Sequence, residues 1–136
     1  MNNTKFATAI HILTILAKNL DEWVSSDWIA GSISVNPVVV RRELGLLQER
    51  GWVVSRKGKE GGSRLAAPAA QIRLGDIYQA VKNSDVLGKK NNCPNPACPI
   101  GKDINAKLDA LFAETDDLVV RSLVTKTLAD FARQFS

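Results

Sequence analysis

Arg41 and Arg42 stand side by side in the run Asn36-Pro37-Val38-Val39-Val40-Arg41-Arg42, which combines two planar cations with the start of a helix. Guanidinium groups so placed recognise rather than react: each offers a fork of N–H donors matching O6 and N7 of guanine, a pairing worth about 1 to 3 kcal/mol of base discrimination. A second group of cations, Arg56, Lys57, Lys59 and Arg64, is strung around Gly58, Gly61 and Gly62. That is the composition of a flexible basic hairpin tip, suited to probing phosphates or a minor groove. The third candidate is the pair Cys93 and Cys98 in a proline-rich loop. Cys98 lies at the expected entrance to a helix, where the macrodipole favours the thiolate. A reversible thiol switch therefore stands open beside a structural role, while two thiols leave a tetrahedral metal short of ligands. His11, the only histidine, falls in an apolar helix and reads as a core or interface residue.

The elements that must position these groups follow from spacing. Asn36 is a good N-cap, Pro37 suits the first helical position, and Val35 with Val40 can staple the cap. Val40, Leu44 and Leu47 recur at helical spacing and should face a core, which turns Val38, Arg41, Arg42, Gly45 and Gln48 outward. Gly51 ends this helix, Trp52 to Ser55 switches to strand composition, Arg56 to Arg64 forms the tip, and Arg64 to Ala66 returns. Upstream, Thr4 to Lys18 reads as a broadly buried helix, with Lys5 at its positive end near a phosphate. Ser25 or Ser26 caps a second helix with Trp28, Ile29 and Ile33 inward. Two short helices joined by a tight turn make a helix-turn-helix unit, and the hairpin after it is a wing. Residues 36 to 64 hold seven Lys/Arg against three acids, Glu43, Glu49 and Glu60, so the local excess of four equals the net charge of the whole chain, +4. A basic excess on one motif is the electrostatic footprint of nucleic-acid binding.

Beyond the wing, Pro68 breaks the chain and Ile72 to Lys82 is a further amphipathic helix. Residues 83 to 99 form a loop carrying both cysteines. From Ile100 or Lys102 to about Val124 a long helix carries Ile104, Leu108, Leu111, Phe112, Leu118, Val119, Ser122 and Leu123 on one stripe, more apolar surface than a small winged domain needs. Thr127, with Asp130 three residues on, starts a last short helix whose Leu128, Phe131 and Phe135 fold back onto the long one. The expected chain is mainly α with a small β-wing: a winged helix-turn-helix domain over 1–82, the Cys/Pro loop over 83–99, and a dimerisation helix with a short terminal helix over 100–136. At 136 residues, 45% hydrophobic and 24% charged, one globular domain with a helical extension fits and two independent domains would be crowded. The apolar run Phe6 to Ala17 is too short to span a bilayer and lacks a cleavage pattern, which, with two cysteines only, points to a reducing cytoplasm.

The order TKFATAIHIL, VNPVVVRREL, GWVVSRKGKEGGSRLA, IRLGDIYQAV, CPIGKDI and TLADF resembles the Rrf2 family of bacterial transcriptional regulators over essentially the full chain. Gly61, Gly62, Leu65 and Ala66 in the wing carry the most specific part of the likeness. It implies a dimeric winged-helix protein on a palindromic operator, mostly as a repressor, with base reading at Val38, Arg41 and Arg42 and the minor-groove wing position at Lys57. Ser63 stands where the family commonly has an aromatic residue. Iron–sulfur branches use three closely spaced cysteines where this chain has Cys93 and Cys98, so no iron–sulfur cofactor is expected. The expected partners are double-stranded DNA, through Lys5, Asn36, Val38, Arg41, Arg42, Gln48, Arg56, Lys57, Lys59 and Arg64, and another copy of the chain, with no membrane. Two rival readings remain. One is a thiol-based redox protein using Cys93 and Cys98, weakened by the absence of a Cys-x-x-Cys after a strand, of a nearby histidine and of an acid pair; the other is a winged helix that docks on protein.

Overall fold

The computed structural model describes residues 4–82 and 86–135, so positions 83–85 of the expected loop lie outside the described residues. In chain order the elements are α1 (Lys5–Ala17), α2 (Ser26–Ile33), α3 (Pro37–Glu49), β1 (Val53–Arg56), β2 (Gly62–Leu65), a 3-10 turn (Ala69–Gln71), α4 (Leu74–Val81), α5 (Pro99–Val124) and α6 (Leu128–Ala132). α1 is the hub. Ala9, Ile12, Leu13 and Leu16 are fully shielded from water, because α2, α3, α4, α6 and β2 all pack around this one helix. From α3 come Val40, Leu44 and Leu47, the three positions that the helical spacing assigns to the core.

The strands pair antiparallel with Val53 opposite Leu65 and Arg56 opposite Gly62. The return strand therefore starts at Gly62, two residues earlier than expected, and Arg56 and Arg64 belong to the strands rather than the tip. A third backbone segment explains the shift. Val24 N–H donates to the Ser63 carbonyl at 3.0 Å and Ser63 N–H to the Val24 carbonyl at 2.8 Å, forming a bridge. Gly62 makes it possible, since a β-carbon there would lie 2.5 Å from the Val24 carbonyl oxygen. Trp28 also departs from expectation: it is 59% exposed on α2, where Ile29 and Ala30 are the buried residues. Three residues after the Ser25 cap, it lines a cleft with Asn19, Glu22 and Trp23 of the α1–α2 connection, and spacing did not separate it from its buried neighbour.

The helix expected over Ile72 to Lys82 is α4 and starts two residues later, at Leu74, because Ile72-Arg73, after the 3-10 turn, is extended. Leu74 N–H donates to the Lys126 carbonyl at 2.9 Å and Leu128 N–H to the Ile72 carbonyl at 2.7 Å, so this segment pairs with the chain that enters α6. α6, opened by a reciprocal capping box between Thr127 and Asp130, consequently docks chiefly on α1 and the 3-10 turn rather than along α5. Leu128 is fully buried there, and Phe135 stays half exposed.

α5 starts at Pro99, with Cys98 as its N-cap residue; Pro99 is thus the first helical position rather than part of the loop, as suits a residue with no N–H to satisfy. α4 crosses α5 at Gly75, where a β-carbon would sit 2.3 Å from Val124 Cγ1. The expected stripe on α5 splits into two. Phe112 and Asp116 are buried on one face, while Ile104, Leu111 and Leu118, seven residues apart, point elsewhere, the last two 50% and 58% exposed. Asp116 is the joint between the helices: Tyr78 Oη donates to Oδ1 at 2.7 Å and Lys82 forms an ion pair with Oδ2. Burial alone would raise this carboxyl, but the bonds from Lys82 and Tyr78, the Lys82 charge and the Val86 N–H outweigh it and hold the group below the ordinary carboxylate range. Because the folded value is depressed, the stabilisation is present above about pH 4 and is lost as pH falls through the folded value. Asp116→Asn should therefore cost about 1 to 3 kcal/mol in urea unfolding at neutral pH, with the gap to wild type closing in acid.

Candidate nucleic-acid interface

The candidate reading helix is built from its turn outward. Ser34 adopts the left-handed region, φ 67°, and its N–H and that of Val35 both donate to the Ala30 carbonyl, which stops α2 and sends the chain sideways. Asn36 Oδ1 accepts the Val38 N–H at 2.8 Å, so the cap closes the exposed N-terminus of α3 with Pro37 at its first position. Val38 is 62% exposed, and Arg41, Arg42 and Gln48 share the solvent face. Each arginine has an acid beside it: Arg41 lies 3.6 Å from Asp27 on α2 and Arg42 Nε 3.7 Å from Glu43. Both pairs are exposed on the arginine side and weak enough to be exchanged for a base or a phosphate. Glu43 itself is buried, with Oε2 lacking a hydrogen-bond partner among the described residues. Its Oε1 is the oxygen that faces Arg42, so the carboxylate offsets part of that arginine's charge from below the surface of α3.

The wing lies across a cleft of about 520 Å³ from α3, with Arg41, Gln48, Arg56 and Lys57 on its walls. Lys57 and Lys59 are exposed at the tip. Arg56 and Arg64 are held differently. Their guanidinium carbons lie 4.7 Å and 4.4 Å from the ring centroid of Trp23, Arg56 Nη2 donates to the Glu60 carbonyl, and Arg64 Nη2 donates to the Asp21 carbonyl. Ser63, in place of an aromatic, is buried and pairs its hydroxyl with Ser55 across the strands at 2.8 Å. Of the residues expected to meet DNA, Asn36, Val38, Arg41, Arg42, Gln48, Arg56, Lys57, Lys59 and Arg64 are gathered on α3 and the wing. Lys5 is not. It opens α1, half-buried, beside Phe6, whose ring meets Tyr78 of α4. Trp23 and Glu43 escaped sequence reasoning: Trp23 is legible only when the strand register is known, and Glu43 is locally indistinguishable from any surface acid in a helix.

The cysteine segment is laid back along α5. Lys90 pairs with Asp109, Asn105 Nδ2 donates to the Asn91 carbonyl at 3.0 Å, and Cys98 N–H donates to the Asn95 carbonyl. Both thiols are free and exposed. The backbone N–H groups of Gly101 and Ile100 hold the Cys98 thiol below its ordinary value. Among the described residues no three His, Cys, Asp or Glu gather as a metal site, and two thiols within one chain supply half of the four ligands an iron–sulfur cluster takes. His11 Nε2 lies 3.0 Å from Ser32 Oγ, tying α1 to α2 at the edge of an apolar groove lined by Phe6, Ile10, Leu123, Phe131 and Phe135.

A two-helix reader with a basic wing, on a helical core that holds no helix long and apolar enough to cross a membrane among the described residues, defines a winged-helix DNA-binding protein. The chain belongs to the Rrf2 family: the model of that family, described as an iron-dependent transcriptional regulator, matches residues 2–134. YwnA of Bacillus subtilis (strain 168), whose name places it among HTH-type transcriptional regulators, is 40% identical over 130 residues, 96% of each chain. A crystal structure titled as a DNA-binding protein superposes with a TM-score of 0.73 at 36% identity, covering 93% of this chain and 97% of that one. CymR, the global cysteine regulator of B. subtilis, shares the fold at a TM-score of 0.72 and 23% identity, over 100% of this chain and 98% of its own. The protein is thus a DNA-binding transcriptional regulator. Arg41→Ala and Arg42→Ala should each relax sequence preference by about 1 to 3 kcal/mol at the base it reads, whereas Lys59→Ala should weaken all duplexes alike; binding to a panel of single-base operator variants separates the two outcomes.

Proposed function

We propose that the protein is a cytoplasmic, non-enzymatic repressor that binds a palindromic operator as a homodimer, with Val38, Arg41 and Arg42 at base edges in the major groove and Lys57 at the minor groove. The observation that carries the reading is the capped N-terminus of α3, which presents two exposed arginines beside a basic cleft. Asn36 and Gln48 flank them as polar contacts. The homodimer is supported by α5, 26 residues long, whose Ile104, Leu111 and Leu118 repeat at the heptad spacing of a helix–helix seam, with Ile100 72% exposed on its first turn. Twofold symmetry would set two copies of α3 about one turn of DNA apart and give the operator its palindrome. No iron–sulfur cofactor enters this reading.

Selection of genomic fragments by the purified protein, under reducing and under oxidising conditions, tests it: a shared palindrome with half-sites centred about 10 base pairs apart is the expected result. Recovery of random fragments, or a chain that sediments as a monomer when bound, would remove it. A thiol-based role for Cys93 and Cys98 is the alternative reading, favoured by the depressed thiol at the mouth of α5. Cys98 should then alkylate with iodoacetamide faster than Cys93 at neutral pH, as resolved by peptide mass, and occupancy of the operator should change on oxidation. Equal alkylation rates and identical occupancy would eliminate it.

A further inference from the structure

Trp23 occupies the connection between α1 and α2, outside both the reading helix and the wing, yet it touches the wing at two points. Val54 faces Arg64 and Arg56 faces Gly62 across the strands, so Arg56 and Arg64 sit diagonally on one face of the hairpin. Both guanidinium groups lie over the Trp23 ring, at 4.7 Å and 4.4 Å. Arg64 is the more committed of the two: it is half-buried, Nη2 donates to the Asp21 carbonyl at 3.2 Å, and its Nε is shielded from solvent. The adjacent backbone is fastened by the Val24–Ser63 bridge, which needs the bare Gly62. Ring and bridge together hold the base of the hairpin against the helical core. Lys57 and Lys59, beyond the point of attachment, are exposed and form no ion pair with another described residue.

We propose that Trp23 is a positioning residue for DNA binding, which seats the wing through Arg64 and leaves the cationic contacts of the wing with DNA to Lys57 and Lys59. Arg64 is then a strut rather than a phosphate ligand, although its position in a basic hairpin suggests the latter. The assignment rests on the DNA-binding function and adds a division of labour within it. Electrostatics distinguishes the two roles, because only a cation that neutralises a phosphate releases counterions and steepens the salt dependence of binding.

The experiment uses the full chain and a mixed-sequence duplex of about 30 base pairs, long enough for both half-sites of a dimer, with affinity followed by fluorescence anisotropy through a salt series. Lys57→Ala and Lys59→Ala should each reduce the slope of log K against log salt by about 0.9. Trp23→Ala and Arg64→Ala should weaken binding several-fold at fixed salt with the wild-type slope kept, and Trp23→Phe, which retains a ring, should recover most of the loss. Amide exchange at Ser63, measured without DNA, should accelerate in Trp23→Ala and Arg64→Ala and stay unchanged in Lys57→Ala. A slope that drops in Arg64→Ala as much as in the lysine variants overturns the proposal, as does unaltered exchange at Ser63 in Trp23→Ala and Arg64→Ala. A wild-type chain that binds the duplex with no salt dependence would overturn the DNA reading itself and the role given to the lysines, while exchange at Ser63 would still decide how the wing is seated.

Discussion

Shielding α1 from water is the constraint around which the molecule is arranged. A helix buried on nearly all sides requires partners on every face, and here five elements supply them. Each fully buried leucine or isoleucine contributes roughly 1.5 to 3 kcal/mol, so the set of Ile12, Leu13 and Leu16 outweighs any surface interaction in the chain. Because α3 lends Val40, Leu44 and Leu47 to that cluster, the rotation of the reading helix about its own axis is fixed by packing. Its outward face is what remains after the core has been satisfied. Recognition chemistry is thus a by-product of burial at the level of geometry, and the identity of the exposed side chains is free to vary.

Two rigid attachments extend from this hub. On one side the wing is fastened to the α1–α2 connection by backbone hydrogen bonds, so the cleft between α3 and the hairpin has a set width. On the other, α4 is locked to α5 by Gly75 at the crossing and by the carboxylate of Asp116 beneath Tyr78 and Lys82. A charged group is more directional than an apolar contact, and breaking such a pair leaves an uncompensated buried charge. The orientation of α5 relative to α3 is thereby defined through two helices, α4 and α1, with no loop intervening. Any movement imposed on α5 must rotate that stack or break the joint.

Much of this was legible in the residues. The caps at Ser25, Asn36 and Thr127, the stop at Gly51 and the core periodicity of α3 are local signals, and each element they mark lies within a residue or two of its expected place. Three of the departures share one physical cause. Ile72-Arg73 is extended because it pairs with residues 126–128, the return strand starts early because Val24 bridges Ser63, and α6 packs on α1 because of that same long-range pairing. A propensity pattern carries no information about a partner fifty residues away. That Val38, Arg41, Arg42 and Gln48 face solvent was legible because burial periodicity implies its complement. Glu43 and Trp23 were not, since an acid in a helix and an aromatic in a connection have the same local appearance whether they are idle or engaged.

The pairing of Arg73 with Thr127 has a bearing on how the chain reaches this state. Synthesis is vectorial, and the groove of α1 that receives Leu128 stays open to water until the residues after α5 have been made. α1, α2, α3 and the wing can collapse early on local contacts, but the hub is closed only by its most distant segment in sequence. A nascent chain therefore carries an apolar face until α6 has been made, the period in which such surfaces attract chaperones or other unfinished chains. Completion of the reader is tied to the synthesis of α6: truncation anywhere before it would leave α3 and the wing present in sequence yet lacking the last wall of their core.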